Sequence, residues 1–296
     1  MDKVTVIGGS GFLGSHVADE LGVRGYKVTI FDREPSPWIN SSQRMVVGDV
    51  LDRSALADTC EGARYVYHFA GVADISEARA NPYHTIEANV LGTMAALEAA
   101  RSSGSERFVY ASTMYVYSVA GSFYRASKQA AETIIETYGK AFEMDYTLLR
   151  YGSLYGPRAQ NWNGLRGYVQ QVIQEGRLDY PGSGDERREY IHVRDAARLS
   201  VDVLDEQHRN QAITVTGSQV LDSSELVEMI FEIAGRKPNV VFSQDERSEE
   251  HYRLTPYRYT PQQAKKIIPS EFIDLGQGIL EACEEIAQAV EASRLT

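Results

Sequence analysis

The chain begins with short β-branched runs that alternate with segments in which apolar residues recur at helical spacing. The runs predict six strands, Lys3–Ile7, Lys27–Phe31, Arg44–Val47, Tyr65–Phe69, Arg107–Ala111 and Tyr146–Arg150. The segments between them predict four helices, Ser15–Val23, Ser54–Cys60, Tyr83–Ser102 and Ala126–Lys140. Because strands that alternate with helices form βαβ units, the pattern predicts a parallel sheet covered by helices.

The second half of the chain is less regular, since Gly- and Pro-containing loop signals become frequent after about residue 152. This change predicts a smaller, separate lobe. The segment Glu189–Val203 and the short strand Ala212–Val215 are regular enough to return to the large sheet. Near the end, Leu275–Ala292 has apolar residues at helical spacing and predicts a packing helix. We expect a large domain over residues 1–155 and 189–217, and a smaller lobe over residues 156–188 and 218–296.

A glycine-rich loop joins the first predicted strand to the first predicted helix. Gly8, Gly11 and Gly14 permit a tight turn, close approach of a pyrophosphate and close helix–strand packing, and the helix N-terminus offers unpaired N–H groups. Asp32 ends the second strand, 18 residues after Gly14, where its carboxylate can bind an adenosine ribose. The loop predicts a dinucleotide site. Asp32 would repel a 2′-phosphate and favours NAD, whereas Arg33 next to it can accommodate that phosphate.

The chain contains one Tyr-x-x-x-Lys pair, Tyr124 and Lys128, which opens a predicted helix after the strand Arg107–Ala111. Residues four apart share a helix face, so the ammonium can lower the pKa of the phenol and hold a nicotinamide ribose. Tyr124 would then act as general acid and base. Ser112 and Thr113, at the strand end, offer a hydroxyl that polarises a substrate oxygen. The alternative is a surface tyrosine beside a solvated lysine.

Composition and charge exclude several classes of function. The 296 residues contain 30 Lys+Arg and 41 Asp+Glu, a net charge of −11, and no basic tract, which argues against nucleic-acid binding. Cys60 and Cys283 lack ligand-like spacing, and the histidines are scattered, so we expect neither a disulfide scaffold nor a metal site. Without a leader pattern or a long apolar run, the protein is expected to be cytoplasmic and not bound to membranes.

These motifs together resemble the extended short-chain dehydrogenase/reductases, specifically the nucleotide-sugar epimerase/dehydratase group. The resemblance covers nearly the whole chain and is carried by Gly8–Gly14, Asp32, Gly48–Val50, His68–Gly71, Asn89–Thr93, Ser112–Tyr117, Tyr124–Lys128, Leu149–Arg158 and Arg188–Asp195. It implies a Rossmann-like doubly wound parallel sheet, an α/β fold with a smaller C-terminal α/β substrate lobe. It also implies NAD as cofactor and Thr113 as the hydroxyl partner of Tyr124.

The resemblance implies further binding residues. Besides the glycines, Asp32, Arg33, Tyr124 and Lys128, the cofactor contacts would be Phe12, Leu13, Asp49, Val50, Ala70, Gly71, Asn89 and Tyr151. The substrate contacts would be Ser153, Asn163, Leu165, Tyr180, Arg188 and Arg253. Among these, Arg188 matches a residue that grips the nucleotide diphosphate, Arg253 matches a second such arginine, and Tyr180 matches an aromatic that stacks on the base. Asn163 and Leu165 fall in a loop over the diphosphate.

Departures from the family pattern narrow the expected chemistry. Dehydratases of this group place an Asp-Glu pair just after the hydroxyl residue, and decarboxylases place a Glu at the second position, whereas this chain has Met114-Tyr115. Without that acid, epimerisation at C4 through a transient 4-keto sugar is favoured over dehydration. The alternatives are a keto-sugar reductase or dehydrogenase, a reductase of non-sugar carbonyl compounds, and a non-catalytic NAD sensor.

Two expectations concern the surroundings of the site. The connection from Thr113 to Tyr124 is only 11 residues long, shorter than in relatives, which predicts a more open sugar pocket. The family also often dimerises through the helices predicted at Tyr83–Ser102 and Ala126–Lys140, which predicts a homodimer. Their outer stripes would include Ala95, Ala96, Ala99, Ala130, Ala131 and Ile134. Packing of these helices on the sheet explains part of the same pattern.

Overall fold

A computed structural model describes residues 1–218, 220–243 and 251–257 of the chain. The strands in these residues are β1 (Lys3–Ile7), β2 (Lys27–Asp32), β3 (Gln43–Val47), β4 (Tyr65–His68), β5 (Arg107–Thr113), β6 (Tyr146–Tyr151), β7 (Ser153–Tyr155), β8 (Leu178–Pro181), β9 (Arg187–His192), β10 (Gln211–Val215), β11 (Val220–Asp222) and β12 (Val240–Ser243). The α-helices are α1 (Phe12–Val23), α2 (Arg53–Cys60), α3 (Ile75–Ala80), α4 (Pro82–Ile86), α5 (Gly92–Ser102), α6 (Ser122–Phe142), α7 (Gly164–Glu175), α8 (Val193–Asp202) and α9 (Ser223–Ile233). A π-helical turn spans Glu87–Leu91, and 3-10 helices span Met114–Tyr117 and Glu206–His208.

The central layer is a seven-stranded sheet with the order β10-β6-β5-β4-β1-β2-β3. All neighbouring strands in it are parallel, which confirms the predicted α/β fold class. The six strands predicted in the first half all lie in this sheet. The short strand predicted at Ala212–Val215 is β10, which pairs with β6 at the sheet edge. The strand order reverses between β1 and β4, so their carboxyl ends border the crevice where such sheets bind ligands.

Helices cover both faces of this sheet and bury an apolar layer on each. On one face, Val17 and Leu21 of α1 pack with Ala196 of α8. On the other face, Leu97 of α5 packs with Ile135 of α6. Because the sheet is covered twice, its central strands are almost continuously buried rather than alternating between buried and exposed residues. No helix in the described ranges is both long and apolar enough to cross a bilayer.

The small side chains of α5 and α6 face the sheet rather than the outside. Ala95, Ala96 and Ala99 of α5 and Ala131 of α6 are buried in the layer between helix and sheet, so the predicted outer stripe is wrong for them. Helical spacing shows that one face is apolar but not which way that face points, and small side chains suit close helix–strand packing. The other two residues predicted for the stripe, Ala130 and Ile134, are half-buried.

The smaller lobe consists of a three-stranded sheet, β11-β9-β7, and a pair of parallel strands, β12 and β8. Its core contains Val172 of α7 and Phe231 of α9. We expected the segment Glu189–Val203 to return to the large sheet. Its strand residues belong to β9, which instead pairs with β7 and β11 in the three-stranded sheet. Only its helix, α8, packs against α1. The domain boundaries remain a prediction, and Leu275–Ala292 lies outside the described residues.

Candidate active site

The glycine loop lies at the carboxyl end of β1, beside the point where the strand order reverses. Gly8 has a φ of +84°, and a Cβ there would lie 2.3 Å from the backbone nitrogen of Ala70. A Cβ at Gly14 would lie 2.2 Å from the carbonyl oxygen of Gly8. Gly11 precedes α1, and no side chain caps the helix there. The loop therefore leaves a helix N-terminus open to an anion, as a dinucleotide pyrophosphate requires.

The side chains around this loop fit the adenosine half of a dinucleotide. Asp32 accepts a hydrogen bond from the backbone N–H of Ser10 at 2.9 Å, which holds its carboxylate at the tip of the loop. Arg33 and Asp49 are exposed, and Val50 packs against Gly92. Phe12 and Leu13 are buried in the core. Their contribution to a cofactor would come from the backbone N–H groups of the first helical turn.

Asn89 supports the site through hydrogen bonds of its buried side chain. It lies in the π-helical turn and is buried, and its side chain accepts from the backbone N–H of Val72 at 2.7 Å. It also donates to the carbonyl of Val72 at 3.0 Å and to the Ser127 hydroxyl at 2.9 Å. Gly71 has a φ of +144°, and a Cβ there would lie 2.4 Å from the Asn89 amide oxygen. Asn89 thus positions the loop Gly71-Val72 and helix α6 rather than presenting a free amide.

Tyr151 was also predicted to contact the cofactor. Its side chain is buried under α8, where its hydroxyl lies 2.6 Å from that of Ser200. Because both its ring and its hydroxyl are used inside the protein, the side chain offers nothing to a cofactor, which corrects that expectation. Only the backbone of Tyr151, at the carboxyl end of β6, remains beside the crevice.

The three residues predicted to be catalytic lie together at the end of β5. Tyr124 and Lys128 are on the first turns of α6, and Tyr124 forms a hydrogen bond with the Thr113 side chain. The Lys128 ammonium donates to the carbonyl of Ala111 at 2.8 Å and lies 4.7 Å from the ring of Tyr110. Its distance to the ring of Tyr124 is 6.0 Å. The arrangement places a phenol, a hydroxyl and an ammonium around one point of the crevice.

Burial dominates the acid–base properties of this group. Burial raises the pKa of Tyr124 to about 12, and the hydrogen bond with Thr113 opposes that rise. Burial lowers the pKa of Lys128 to about 8, and the charge of Glu132 opposes that fall. Desolvation of the phenol therefore outweighs the lowering predicted from the charge of Lys128, and the net pKa of Tyr124 is raised in the free protein. The hydroxyl of Ser112 is not available, since it donates to Glu132 at 2.5 Å.

A segment distant in sequence covers the short connection between Thr113 and Tyr124. We call this segment, His251–Tyr257, the strap. The Tyr115 hydroxyl lies 2.5 Å from Nδ1 of His251, and its ring lies 4.6 Å from that of Tyr252. The Tyr115 ring also meets the ring of Tyr124 edge to face at 6.0 Å. These contacts cover part of the short connection, which argues against the more open pocket predicted from its length.

Arg188 of β9 lies beside the strap in unusual surroundings. Its Nε is buried without a hydrogen-bond partner in the described residues, and its Cζ lies 5.8 Å from the ring of Tyr252. The groups that act most strongly on its charge are all tyrosines, Tyr115, Tyr168, Tyr180 and Tyr190. A half-buried guanidinium that is surrounded by phenols, and that forms no ion pair with a carboxylate of the described residues, is suited to bind an anion.

The other residues predicted to bind substrate have structural partners. Asn163 caps α7 by accepting from the backbone N–H of Arg166 at 3.1 Å and donates to the carbonyl of Leu154 at 3.0 Å. Together with Leu165 it lines an open cleft of about 540 Å³ beside α7. The side chain of Ser153 forms a hydrogen bond with Tyr252 of the strap.

The surroundings of Tyr180 and Arg253, two residues predicted to bind substrate together with Arg188, differ from those expected. Tyr180 is 1% exposed, its hydroxyl donates to Ser223 at 2.7 Å, and its ring packs between those of Tyr168 and Phe242. It therefore belongs to the lobe core and has no face free to stack on a base, which corrects that expectation. Arg253 is exposed, and its Nη2 lies 3.5 Å from the Ser183 hydroxyl.

Comparison with known proteins gives consistent matches. The model of the NAD dependent epimerase/dehydratase family matches residues 4–216. A UDP-glucose 4-epimerase of Erwinia amylovora is 32% identical over 248 residues, which cover 69% of this chain and 73% of that protein. A UDP-N-acetyl-alpha-D-glucosaminuronate decarboxylase of Bacillus cytotoxicus is 26% identical and covers 84% of this chain and 85% of its own. The crystal structure of a UDP-glucose 4-epimerase with UDP-glucose from Thermotoga maritima has a TM-score of 0.80 at 23% identity, covering 87% of this chain and 90% of that one.

Proposed function

Because the chain belongs to the NAD dependent epimerase/dehydratase family, we propose that it inverts C4 of a nucleotide-linked sugar through a transient 4-keto sugar. The observation that carries this proposal is the half-buried Arg188, whose Nε is buried and has no hydrogen-bond partner among the described residues. A neutral substrate would leave that charge uncompensated, whereas a nucleotide diphosphate supplies the missing negative charge. Tyr115 links Arg188 to the catalytic group, since it acts on the charge of Arg188 and its ring contacts Tyr124.

Each residue of the catalytic group has a defined part in this reaction. In its deprotonated form, which the positive charge of Lys128 favours, Tyr124 takes the proton from the sugar hydroxyl at C4 and later returns it, while Thr113 holds the same oxygen by a hydrogen bond. Lys128 places a positive charge behind the phenol. The glycine loop binds the pyrophosphate of NAD, and Asp32 binds its adenosine ribose. NAD, when bound, would supply a hydride acceptor for the oxidation at C4 and a hydride donor for the reduction of the keto sugar.

The residues after Thr113 favour epimerisation over the other reactions of the family. Met114 is fully buried and cannot transfer a proton. The Tyr115 hydroxyl is engaged with His251, and burial raises the pKa of this phenol well above its usual range. Neither position therefore supplies the carboxylic acid that loss of a hydroxyl group requires. The remaining apparatus supports a cycle in which no group leaves the sugar.

NMR analysis of the products formed from a panel of nucleotide sugars, with NAD far below the sugar concentration, tests this proposal. We expect an isomer to accumulate far beyond the amount of NAD, since the cycle is redox-neutral. Conversion that stops when the added NAD or NADH is consumed would instead establish a keto-sugar reductase or dehydrogenase. Turnover of neutral ketones alone would contradict the role given to Arg188.

We also propose a homodimer formed through the outer faces of α4, the π-helical turn, α5 and α6. Large apolar side chains on these faces are exposed, Tyr83 at 77%, Leu91 at 50% and Phe123 at 43%. Exposed apolar side chains on adjacent helices are typical of an interface rather than of a free surface. Light scattering should give about twice the chain mass of 33.0 kDa, and Leu91→Glu should give monomers. A monomeric wild-type protein would contradict this proposal.

A further inference from the structure

A buried ion pair lies directly behind the catalytic group. Glu132 of α6 and Arg150 of β6 have side chains that are 4% and 10% exposed. Nε of Arg150 donates to Oε1 of Glu132 at 2.9 Å, and Nη2 donates to Oε2 at 2.6 Å, so the pair is bidentate. Ser112 of β5 donates a further hydrogen bond to Oε1 at 2.5 Å. The Glu132 carboxylate is thus fixed by two strands and its own helix.

This carboxylate lies one helical turn beyond Lys128, on the same face of α6. Lys128 is 5% exposed, so its ammonium has lost most of its hydration and is held by the carbonyl of Ala111 and the ring of Tyr110. Neither of these groups carries a formal charge. Of the groups that act on the charge of Lys128, Glu132 is the one that favours the protonated form.

The elements around Lys128 bring few other titratable groups to it. These groups are His68 of β4, Tyr110 of β5, and Tyr124 and Glu132 of α6, with Arg150 of β6 bound to Glu132. Burial lowers the pKa of His68 to about 3, so this imidazole is neutral. The two phenols are neutral near pH 8 because burial raises their pKa values. Glu132 therefore supplies the negative charge in this set.

We propose that Glu132 is a positioning residue, held by Arg150 and Ser112, whose carboxylate keeps the buried Lys128 charged behind Tyr124. Its role depends on the proposed function of Lys128, but the charge state of the lysine can be measured without any substrate. An opposite charge near a group shifts the pKa of that group by about 1–3 pH units, and Glu132 lies one helical turn from Lys128 on α6. Arg150 has a separate task, since its two hydrogen bonds hold the Glu132 carboxylate in place.

The test follows the ¹³Cε signal of Lys128 through a pH titration of lysine-labelled protein, with the signal assigned by its loss in Lys128→Arg. We expect a midpoint near 8 in the wild type, as burial sets it. In Glu132→Gln the midpoint should fall by at least about 1 pH unit. Glu136→Gln is the matched control, since it makes the same change one turn further along α6 and should leave the midpoint in place.

A second variant separates this role from a purely structural one. Glu132→Gln leaves the Arg150 charge without its carboxylate and can unfold the protein, whereas Glu132→Gln/Arg150→Met removes both charges from the core. The double variant should fold, by circular dichroism, and still show the lowered Lys128 midpoint. An unchanged midpoint in either folded variant would overturn the proposal. So would a double variant that does not fold, because the pair would then serve the fold rather than the lysine.

The same variants distinguish failure of this proposal from failure of the proposed function. If the Lys128 midpoint falls in Glu132→Gln, the positioning role stands whether or not a nucleotide sugar is converted. If the wild type does convert a nucleotide sugar, the alkaline limb of its kcat/KM profile should move down with the midpoint in Glu132→Gln. A profile that stays in place while the midpoint moves would show that the Lys128 charge is not used in the reaction.

Discussion

Replacement of Arg188 by methionine should weaken nucleotide binding and at the same time stabilise the free protein. The guanidinium is surrounded by tyrosines, and its Nε is buried without a partner in the described chain. A buried ion without a partner of opposite charge costs several kcal/mol of desolvation, which a methionine side chain does not incur. Methionine is flexible and makes favourable contacts with aromatic rings, so it can fill the space beside Tyr252.

The stability of the free protein should rise and its affinity for nucleotides should fall, and the size of each change can be stated. We expect the free energy of unfolding to rise by about 1–3 kcal/mol, a part of the desolvation cost of one buried ion. For a chain of this size that corresponds to a rise in Tm of about 2–10 °C. A charged hydrogen-bond partner removed from a buried pair costs about 2–4 kcal/mol of binding free energy, so the affinity for UDP or dTDP should fall about 30- to 1,000-fold.

Thermal unfolding and isothermal titration with the two nucleoside diphosphates measure these effects. Arg187→Met is the matched control, because Arg187 precedes Arg188 on β9 and forms an exposed ion pair with Asp222. Exposed pairs contribute about 0–1 kcal/mol, so this variant should change neither Tm nor affinity by much. A lower Tm in Arg188→Met together with unchanged affinity would refute the reasoning, since Arg188 would then be a structural residue with an internal partner.

Three further predictions concern the cofactor site and the proton transfer. Tyr124→Phe should lower kcat by about 10²–10⁴-fold in the NMR product assay and leave NAD affinity unchanged, because it removes only the proton-transfer hydroxyl. Gly14→Ala should abolish NAD binding in calorimetry, since a Cβ there would lie 2.2 Å from the Gly8 carbonyl oxygen, whereas Gly167→Ala, with nothing within 4 Å, should not. The kcat/KM of the wild type should fall as pH rises through about 8, where Lys128 loses its proton and its charge. A limb that begins above about 10, the ordinary range of a lysine, would contradict this last prediction.

Features that lie within a short stretch of sequence could be predicted well. The glycine loop, the acidic end of β2 and the Tyr124–Lys128 pair each depend on spacings of a few residues after a strand whose apolar run marks its place in the sheet. The same holds for the strand at Ala212–Val215, whose β-branched residues indicate a partner strand without naming it. These patterns specify local geometry, so the structure places them where the pattern indicates.

Contacts between distant segments could not be predicted in the same way. His251 and Tyr115 are 136 positions apart, and the length of a loop says nothing about what covers it. Tyr180 shows a second limit, since an aromatic before a turn is equally suited to a lobe core and to a ligand base. The Glu132–Arg150 pair carries no short spacing signal, because its two charges lie on a helix and on the strand that follows.

Lys128 and Arg188 are two cations near Tyr124 that differ in the groups surrounding them. Lys128 has a carboxylate of its own helix, Glu132, among the groups that act on its charge, whereas the groups that act most strongly on Arg188 are phenols. A shortage of acidic residues does not explain this difference, since the chain has 41 of them and a net charge of −11. A protein retains a buried charge without a partner where a ligand supplies one. The proposed function accordingly gives the anionic part of the substrate to Arg188, and gives Lys128, compensated from within, a part in the proton transfer at Tyr124.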